Sequence, residues 1–277
     1  MTPPVTTAIV VSYYTGPRLK ECLYALASDP AVTAIHIVDN GNPESMRRWL
    51  HGFADARQGV KLIDAGENIG FGAGVNLGAE GAADGHLLII NPDAVLKRGS
   101  VEAMAEAMAG APAPCIIGGR IFDTHGIEAR GPRRRRLTLW RALTSFAGWN
   151  TWTLEKTPAP EGAVPMDVVS GALMFTRAED FRTLGGFDEE FFLHVEDVDI
   201  CRRAHEAGGS VIYTPLAGAL HYGATSEAPA RRVARNKADN LILYFRKYAS
   251  NPFERLIISA LAPLLRFAIT FRTPGQG

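Results

Sequence analysis

The chain has 277 residues, 47% of them apolar, and its 29 Lys+Arg balance 29 Asp+Glu to a formal net charge of zero. That composition supports a sizeable core and excludes a disordered chain, and the neutral balance removes the global electrostatic argument for a nucleic-acid partner. Three widely spaced cysteines (Cys22, Cys115, Cys201) make neither a disulfide framework nor a zinc site, so a reducing cytosol is the natural compartment.

Residues 7–12 (TAIVVS) form a β-branched apolar run and read as a buried strand. Gly16-Pro17 punctuates, and Leu19, Cys22, Leu23 and Leu26 then fall on one helical face. Residues 34–38 (AIHIV) predict a second strand, closed by the turn signal Asp39-Asn40-Gly41-Asn42. Met46, Trp49 and Leu50 give another helical face, and residues 60–63 (VKLI) a third strand. The stretch 67–74 (ENIGFGAG) reads as a glycine-rich loop entering a helix from Val75, and residues 87–90 (LLII) as a fully buried strand stopped by Asn91-Pro92-Asp93. This alternation predicts a parallel sheet with helices on both faces.

Residues 115–122 suggest another strand. From Asp123 to about Pro165 the periodicity fades, in a segment holding Arg130, Arg133, Arg134, Arg135, Arg136, Arg141, Trp140, Trp149 and Trp152. Such a stretch is expected to be a functional or mobile loop. A strand over 168–176 (VVSGALMFT), a helix near 178–184, a helix over 196–207 and a strand over 210–213 follow, with His221 in the loop beyond. The tail from Ala230 reads as helical and broken near Asn251-Pro252. No run reaches the roughly 18–20 apolar residues of a membrane-spanning helix, and no secretory signal is visible at the N-terminus.

In an open parallel sheet, ligands bind at the carboxyl ends of the strands. Here those ends offer Ser12-Tyr13, Asp39-Asn40, Glu67-Asn68 with the glycine loop, and Asn91-Pro92-Asp93, which together suggest a nucleotide-sized pocket. Asp39 suits a nucleobase or ribose contact, against the plain alternative of a turn-forming aspartate. The glycine loop is neither a P-loop nor the dinucleotide fingerprint, since no Gly-Lys-Ser/Thr follows and its spacing is wrong. Asp93 could hold a divalent cation against a diphosphate, or cap a helix. Glu196, Asp197 and Asp199 open a helix behind Phe191, Phe192, Leu193 and Val195, an arrangement that would fix a general base against an apolar wall. A lone histidine is more often structural, so the value of His221 depends on Asp93 being a metal ligand.

The segments VVSYY at 10–14, VDNGN at 38–42, ENIGFGAGVNLG at 67–78, LLIINPDA at 87–94, SGALMFTR at 170–177 and GGFDEEFFLHVEDVDICRRAHEAGG at 185–209 stand in an order that resembles the bacterial rhamnosyltransferase-like branch of the inverting GT-A glycosyltransferases. The resemblance covers about residues 7–248. It implies an α/β GT-A fold: a single Rossmann-like nucleotide-sugar-binding domain with a mixed central sheet and a helical C-terminal extension. The catalytic domain is expected over 1–228, with a nucleotide-binding half to about 122 and an acceptor half from about 123, and the extension over 229–277. The implied donor side comprises Ser12, Tyr13, Asp39, Asn68, Gly70, Phe71, Asn76, Asn91 and Asp93. Asp93 matches the last acid of the family's Asp-x-Asp metal motif, with Asn91 in place of the first, and His221 matches a second protein ligand to Mg²⁺ or Mn²⁺. Asp197 matches the catalytic base, with Glu196 beside it.

The implied reaction moves a sugar from a nucleoside diphosphate to an acceptor hydroxyl in one displacement. L-rhamnose from dTDP-rhamnose is the favoured donor, UDP-linked galactose or N-acetylglucosamine the alternative, and the acceptor is a surface polysaccharide or a lipid-linked precursor. Arg133, Arg134, Arg135, Arg136 and Trp140 suit an anionic, sugar-bearing acceptor, with Gly171 on the same side. A non-catalytic nucleotide-sugar binder would keep the donor loop without needing Asp93 and Asp197, and a nucleotidyltransferase would need a basic glycine-rich loop after the first strand, which Tyr13-Tyr14-Thr15-Gly16-Pro17 does not provide. Residues 253–271 are mostly apolar with interspersed arginines, which suits peripheral attachment to the inner face of the cell membrane by a cytoplasmic enzyme. The competing explanation is packing against the catalytic domain or a second copy in a homodimer.

Overall fold

The computed structural model describes residues 5–129, 131–146, 158, 160–223 and 230–271. The first third alternates as read: β1 (Thr6–Ser12), α1 (Arg18–Ala27), β2 (Ala34–Asp39), α2 (Glu44–Asp55), β3 (Val60–Asp64), α3 (Phe71–Ala79) and β4 (His86–Ile90). Then come β5 (Ala94–Leu96), α4 (Ser100–Met108), β6 (Cys115–Phe122), β7 (Arg133–Arg134), α5 (Leu139–Phe146), β8 (Val164–Pro165), β9 (Val168–Val169), β10 (Leu173–Arg177), α6 (Ala178–Thr183), α7 (Glu196–Glu206) and β11 (Ser210–His221). Two helices, α8 (Ala230–Lys247) and α9 (Pro252–Phe271), follow.

The main sheet runs β3-β2-β1-β4-β10-β6-β11-β5, with β8 on β11. β1 to β4 are parallel, β10 is antiparallel to both β4 and β6, and β5 is antiparallel to β11. The sheet is therefore mixed, as the resemblance implies, and the parallel pairing expected from strand–helix alternation holds for β1 to β4 but not for β10 and β5. The reason lies at Ser170-Gly171, which divides the apolar run 168–176: Val168–Val169 pairs with β7, while Leu173–Arg177 enters the main sheet.

Successive residues of β1 alternate between two apolar layers, as the period of two requires. Ile9 and Val11 face one with Val75 of α3 and Phe187; Ala8 and Val10 face the other with Leu19 and Leu23 of α1, Leu50 of α2 and Met104 of α4. Ala238, Ile242 and Tyr244 of α8 and Ile258 and Leu265 of α9 belong to the first layer, so the C-terminal helices share the core of the sheet. Asp199, fully buried on α7, ties α8 down: it accepts from Arg203 Nε at 2.7 Å, Lys247 Nζ at 2.6 Å and Tyr248 OH at 2.7 Å.

Three further expectations change. Helix α3 starts at Phe71, four residues before Val75, because its glycines serve packing. A Cβ on Gly74 would lie 2.7 Å from Val11 Cγ1, and one on Gly78 would lie 2.6 Å from Ile9 Cγ2, so only bare backbone lets α3 approach β1 this closely. β11 runs on past a bulge between Thr214 and Gly218 to His221, which ends a strand and is not in a loop. The 123–165 segment is not irregular throughout: it contains β7, α5 and β8. Arg130, Trp149 and Trp152 lie outside the described residues.

Gly78→Ala should lower stability by about 1–3 kcal/mol, the range for overpacking a filled core. An unchanged urea midpoint would show that α3 and β1 have slack at this contact.

Candidate active site

The parallel strands deliver their carboxyl ends to one edge, and asparagines lock that edge together. Asn42 accepts from Ser12 Oγ at 3.1 Å and from the Tyr14 N–H at 3.0 Å, and its Nδ2 donates to Ser12 O at 3.0 Å and Asp39 Oδ1 at 2.8 Å. The buried Asp39 accepts the Gly41 and Asn42 N–H groups on Oδ1, and Arg47 Nε stands 3.1 Å from Oδ2. Asp39 thus forms the turn through Oδ1, while Oδ2 faces the partly exposed Arg47 guanidinium. The buried Ser12 is spent on Asn42 and Thr15. Tyr13 is half-buried at the same edge.

The donor loop is similarly built. Asn40 Nδ2 reaches Asn68 Oδ1 at 3.0 Å and Gly70 O at 3.1 Å, and Asn68 Oδ1 also accepts the Gly70 N–H. Gly70 has φ +94°, and a Cβ there would lie 2.6 Å from Phe192 O. The glycine therefore clears a close backbone approach, but the neighbour is Phe192. The Phe71 N–H donates to that same carbonyl at 2.9 Å. Asn76 holds protein rather than ligand, for Nδ2 donates to Phe187 O at 2.8 Å and Glu189 Oε1 at 2.9 Å, and Oδ1 accepts the Phe187 N–H.

Asn91, Asp93 and His221 come together. His221↔Ala94 is the last pair of the antiparallel β5–β11 ladder, which sets the histidine beside the residue before β5. His221 Nε2 lies 3.0 Å from Asp93 Oδ1 and 3.1 Å from Asn91 Nδ2. One ring nitrogen cannot satisfy both a carboxylate and an amide NH₂. With the Asn91 amide turned over, which its nearly symmetric outline allows, an Nε2–H of His221 would satisfy both oxygens, and with that proton on Nδ1 the three groups would present lone pairs that a divalent cation could take. Among the described residues no group of three His, Cys, Asp or Glu side chains could hold a metal. One carboxylate, one imidazole and one amide are ligand types that a Mg²⁺ or Mn²⁺ ion could accept, but the chain would supply only part of its shell.

Opposite stands the α7 N-terminus. Asp197 is 8% exposed. Its Oδ2 accepts the Gly171 N–H at 3.0 Å and a short bond from Arg134, while Oδ1 accepts no hydrogen bond among the described residues. Gly171 packs closely on the carboxylate: a Cβ there would sit 3.3 Å from Asp197 Cβ, tight enough to push that side chain by a few tenths of an ångström. Glu196 is buried with Oε2 unpartnered; burial, and then the Asp197 charge, raise its pKa above the usual carboxylate range. The helix is entered through His194 and Val195 at φ +69° and +76°, costly for a β-branched residue and a frequent mark of functional sites. Asn240 of α8 braces the strain by donating to Leu193 O at 2.7 Å and His194 O at 3.2 Å.

The arginine run divides. Arg133 is buried, donates to Glu128 Oε1 at 3.2 Å and stacks over Tyr213, so its expected acceptor-side role is replaced by a structural one. Arg134 reaches the Asp197 carboxylate. Arg135, Arg136 and Trp140 are exposed, Trp140 to 65%.

The model of the glycosyl transferase family 2 matches residues 7–184, a span that contains the whole donor edge and Gly171. The chain belongs to glycosyl transferase family 2. It is 28% identical over 264 residues to the N-acetylglucosaminyl-diphospho-decaprenol L-rhamnosyltransferase of Mycobacterium tuberculosis, covering 86% of this chain and 83% of that one. It is 25% identical over 232 residues to the rhamnosyltransferase WbbL of Escherichia coli K12, with 77% and 82% covered. Among solved structures, the mannosyltransferase PcManGT of Pyrobaculum calidifontis, in complex with GDP-Man and Mn²⁺, superposes with a TM-score of 0.61 at 15% identity, over 98% of this chain and 74% of that one. That likeness establishes the GT-A fold.

The glycosyltransferase uses residues that sequence reasoning passed over. Asn42 appeared only in a turn signal and Asn40 only as one of several strand-end residues, yet their side chains join three segments of the carboxyl edge. Asn240 carried no motif at all. Its signal, a polar residue that shares a helical face with apolar Leu243 and Tyr244 one turn on, is too common to single out.

Proposed function

We propose that this family 2 glycosyltransferase moves L-rhamnose from dTDP-rhamnose to a hydroxyl of a lipid-linked glycan, inverting the anomeric carbon in one displacement with Asp197 as general base. The observation that carries the reading is the Asp197 carboxylate, oriented through Oδ2 by Gly171 and Arg134 and open at Oδ1. Two rhamnosyltransferase relatives that cover most of the chain favour the sugar, and the name of the mycobacterial one favours a prenyl-diphosphate acceptor.

Asp197 Oδ1 takes the proton of the acceptor hydroxyl as that oxygen attacks. A carboxylate is a weak base for an alcohol, so proton transfer runs late and orientation supplies much of the rate. The Gly171 N–H and the Arg134 guanidinium fix the plane of the carboxylate, and neutral Glu196 next to it adds no second negative charge. The Asn40–Asn68–Gly70 bonds hold the glycine loop to the end of β2, and the Phe71 N–H on Phe192 O and Asn76 on Phe187 hold it against the 187–196 segment, so donor and base would be set by one packed unit. Asp93, His221 and Asn91 would hold a divalent ion, which when bound supplies charge neutralisation for the departing nucleoside diphosphate. Asp197→Asn should lower kcat by at least 10²-fold, within the usual range for loss of a general base, while nucleotide binding by calorimetry stays within twofold of wild type. More than about a tenth of wild-type kcat would remove Asp197 from that role. Asp93→Ala should abolish the metal-dependent part of dTDP binding; full activity in excess chelator would contradict the metal reading.

We further propose that the enzyme works at the inner membrane face. No described helix is long and apolar enough to cross a membrane. Yet α9 shows Phe253, Leu256 and Leu264 at 71%, 66% and 59% exposure while Ile258, Ala262 and Leu265 pack inward. An apolar outer face with Arg255 beside it suits a helix lying in the lipid interface. On flotation with phosphatidylglycerol vesicles at low salt the wild type should rise with the lipid, and the Phe253→Ser/Leu256→Ser/Leu264→Ser variant should stay below. A wild type that stays below would assign this face to contact between copies.

A further inference from the structure

Beyond the sheet edge a second concavity opens on the far flank of α7, between that helix, α8 and the segment after β7. It is a cavity of about 200 Å³, the share of six or seven waters at about 30 Å³ each. Val168, Val198 and the Tyr244 ring give it an apolar floor, and Arg136, Arg202 and His205 stand around it. Two carboxylates also line it, and both are engaged: Asp167 Oδ2 accepts the Arg136 N–H at 2.8 Å, and Glu206 Oε1 accepts from Arg202 Nε at 2.7 Å. The Arg136 guanidinium, by contrast, makes no hydrogen bond or ion pair among the described residues. Tyr244 is 1% exposed, and its hydroxyl is buried without a hydrogen-bond partner. The Arg202 guanidinium approaches that hydroxyl as a donor and Arg136 adds its charge, but neither can accept the O–H proton. A buried unpartnered hydroxyl between two guanidiniums marks a place prepared for an acceptor atom that the chain itself does not supply.

We propose that this cavity binds the acceptor by its diphosphate and the first units of its hydrocarbon chain, with the phosphate oxygens on Arg136, Arg202 and the Tyr244 hydroxyl and the chain over Val168 and Val198. An apolar floor under a cationic rim suits an amphiphilic anion and suits a free sugar or a bare phosphate less well. The spacing agrees. Arg202 and His205 lie five and eight residues beyond Asp197, about 7–12 Å along α7, the span of a sugar ring that carries phosphate on one side and the reacting hydroxyl on the other. Tyr244 stands on α8, whose partner α9 carries the apolar outer face, so a prenyl chain leaving the cavity has lipid close by. The inference rests on the lipid-linked acceptor proposed above and assigns it a place.

Titration of the full chain with farnesyl diphosphate, inorganic pyrophosphate and farnesol, without donor, tests the assignment. Farnesyl diphosphate should bind at least tenfold more tightly than either fragment, and Arg136→Gln and Tyr244→Phe should each weaken it at least fivefold while dTDP binding is unchanged. Tyr244→Phe removes a hydroxyl without a partner, so its melting temperature should hold or rise, which separates lost binding from lost structure. Farnesyl diphosphate affinity unchanged in both variants would overturn the proposal, as would equal affinity for pyrophosphate. Loss of binding to phosphatidylglycerol vesicles in Arg136→Gln with farnesyl diphosphate affinity intact would overturn it in favour of a membrane headgroup. Because no turnover is read, the titration can fail while rhamnosyl transfer holds, and transfer can fail with the titration intact.

Discussion

The site depends on one topological constraint: β10 must enter the sheet antiparallel, between β4 and β6. An antiparallel strand begins where its parallel neighbours end, so the start of β10 lies at the edge that carries Asn91 and Asp93. The Asn91 N–H donates to Ala172 O at 3.1 Å and fixes that start. One residue earlier, the Gly171 N–H points its bond at Asp197. A parallel strand here would begin at the opposite edge, and the α7 carboxylates would have no backbone donor to hold them beside the donor loop.

The price of that placement is strain. Two successive residues without glycine's freedom, His194 and Val195, take positive φ to turn the chain into α7. Asn240 of α8 caps the strained carbonyls, and Asp199 draws Lys247 and Tyr248 onto the same helix. The C-terminal helices are thus the brace of the turn into α7 as well as the candidate membrane face. The two adjacent carboxylates then divide by environment: Asp197 has a guanidinium and an N–H, whereas Glu196 is buried with an oxygen unpartnered and is driven toward its neutral form. Neighbouring acids made unequal in this way can take different roles.

Much of this was legible in the sequence where the signal is local. TAIVVS, AIHIV and LLII are strands because β-branched and aliphatic runs bounded by turn residues have few other solutions, and Asp197 stood out by its place at a helix start behind an aromatic wall. What periodicity could not show were the non-local pairings. Val168 to Thr176 reads as one strand, and nothing in its residues says that Gly171 will divide it between two sheets. His221 was placed in a loop because the bulge between Thr214 and Gly218 interrupts the alternation that would have carried the strand onward. Gly72 and Gly74 looked like ligand-loop glycines, but the demand that Gly74 meets comes from Val11, far away in sequence, as that on Gly78 comes from Ile9. Arg133 and Arg134 are adjacent and chemically identical, yet strand alternation sends one to Glu128 and the other to Asp197.

The central claim, that the carboxyl edge of the sheet holds a nucleotide sugar for direct displacement by a hydroxyl activated at Asp197, is tested most directly by turnover. The purified chain, incubated with dTDP-rhamnose and a prenyl-diphosphate-linked N-acetylglucosamine, should release dTDP and yield a rhamnoside whose anomeric configuration by NMR is inverted relative to the donor. A product with retained configuration, or release of pyrophosphate in place of the nucleoside diphosphate, would contradict it.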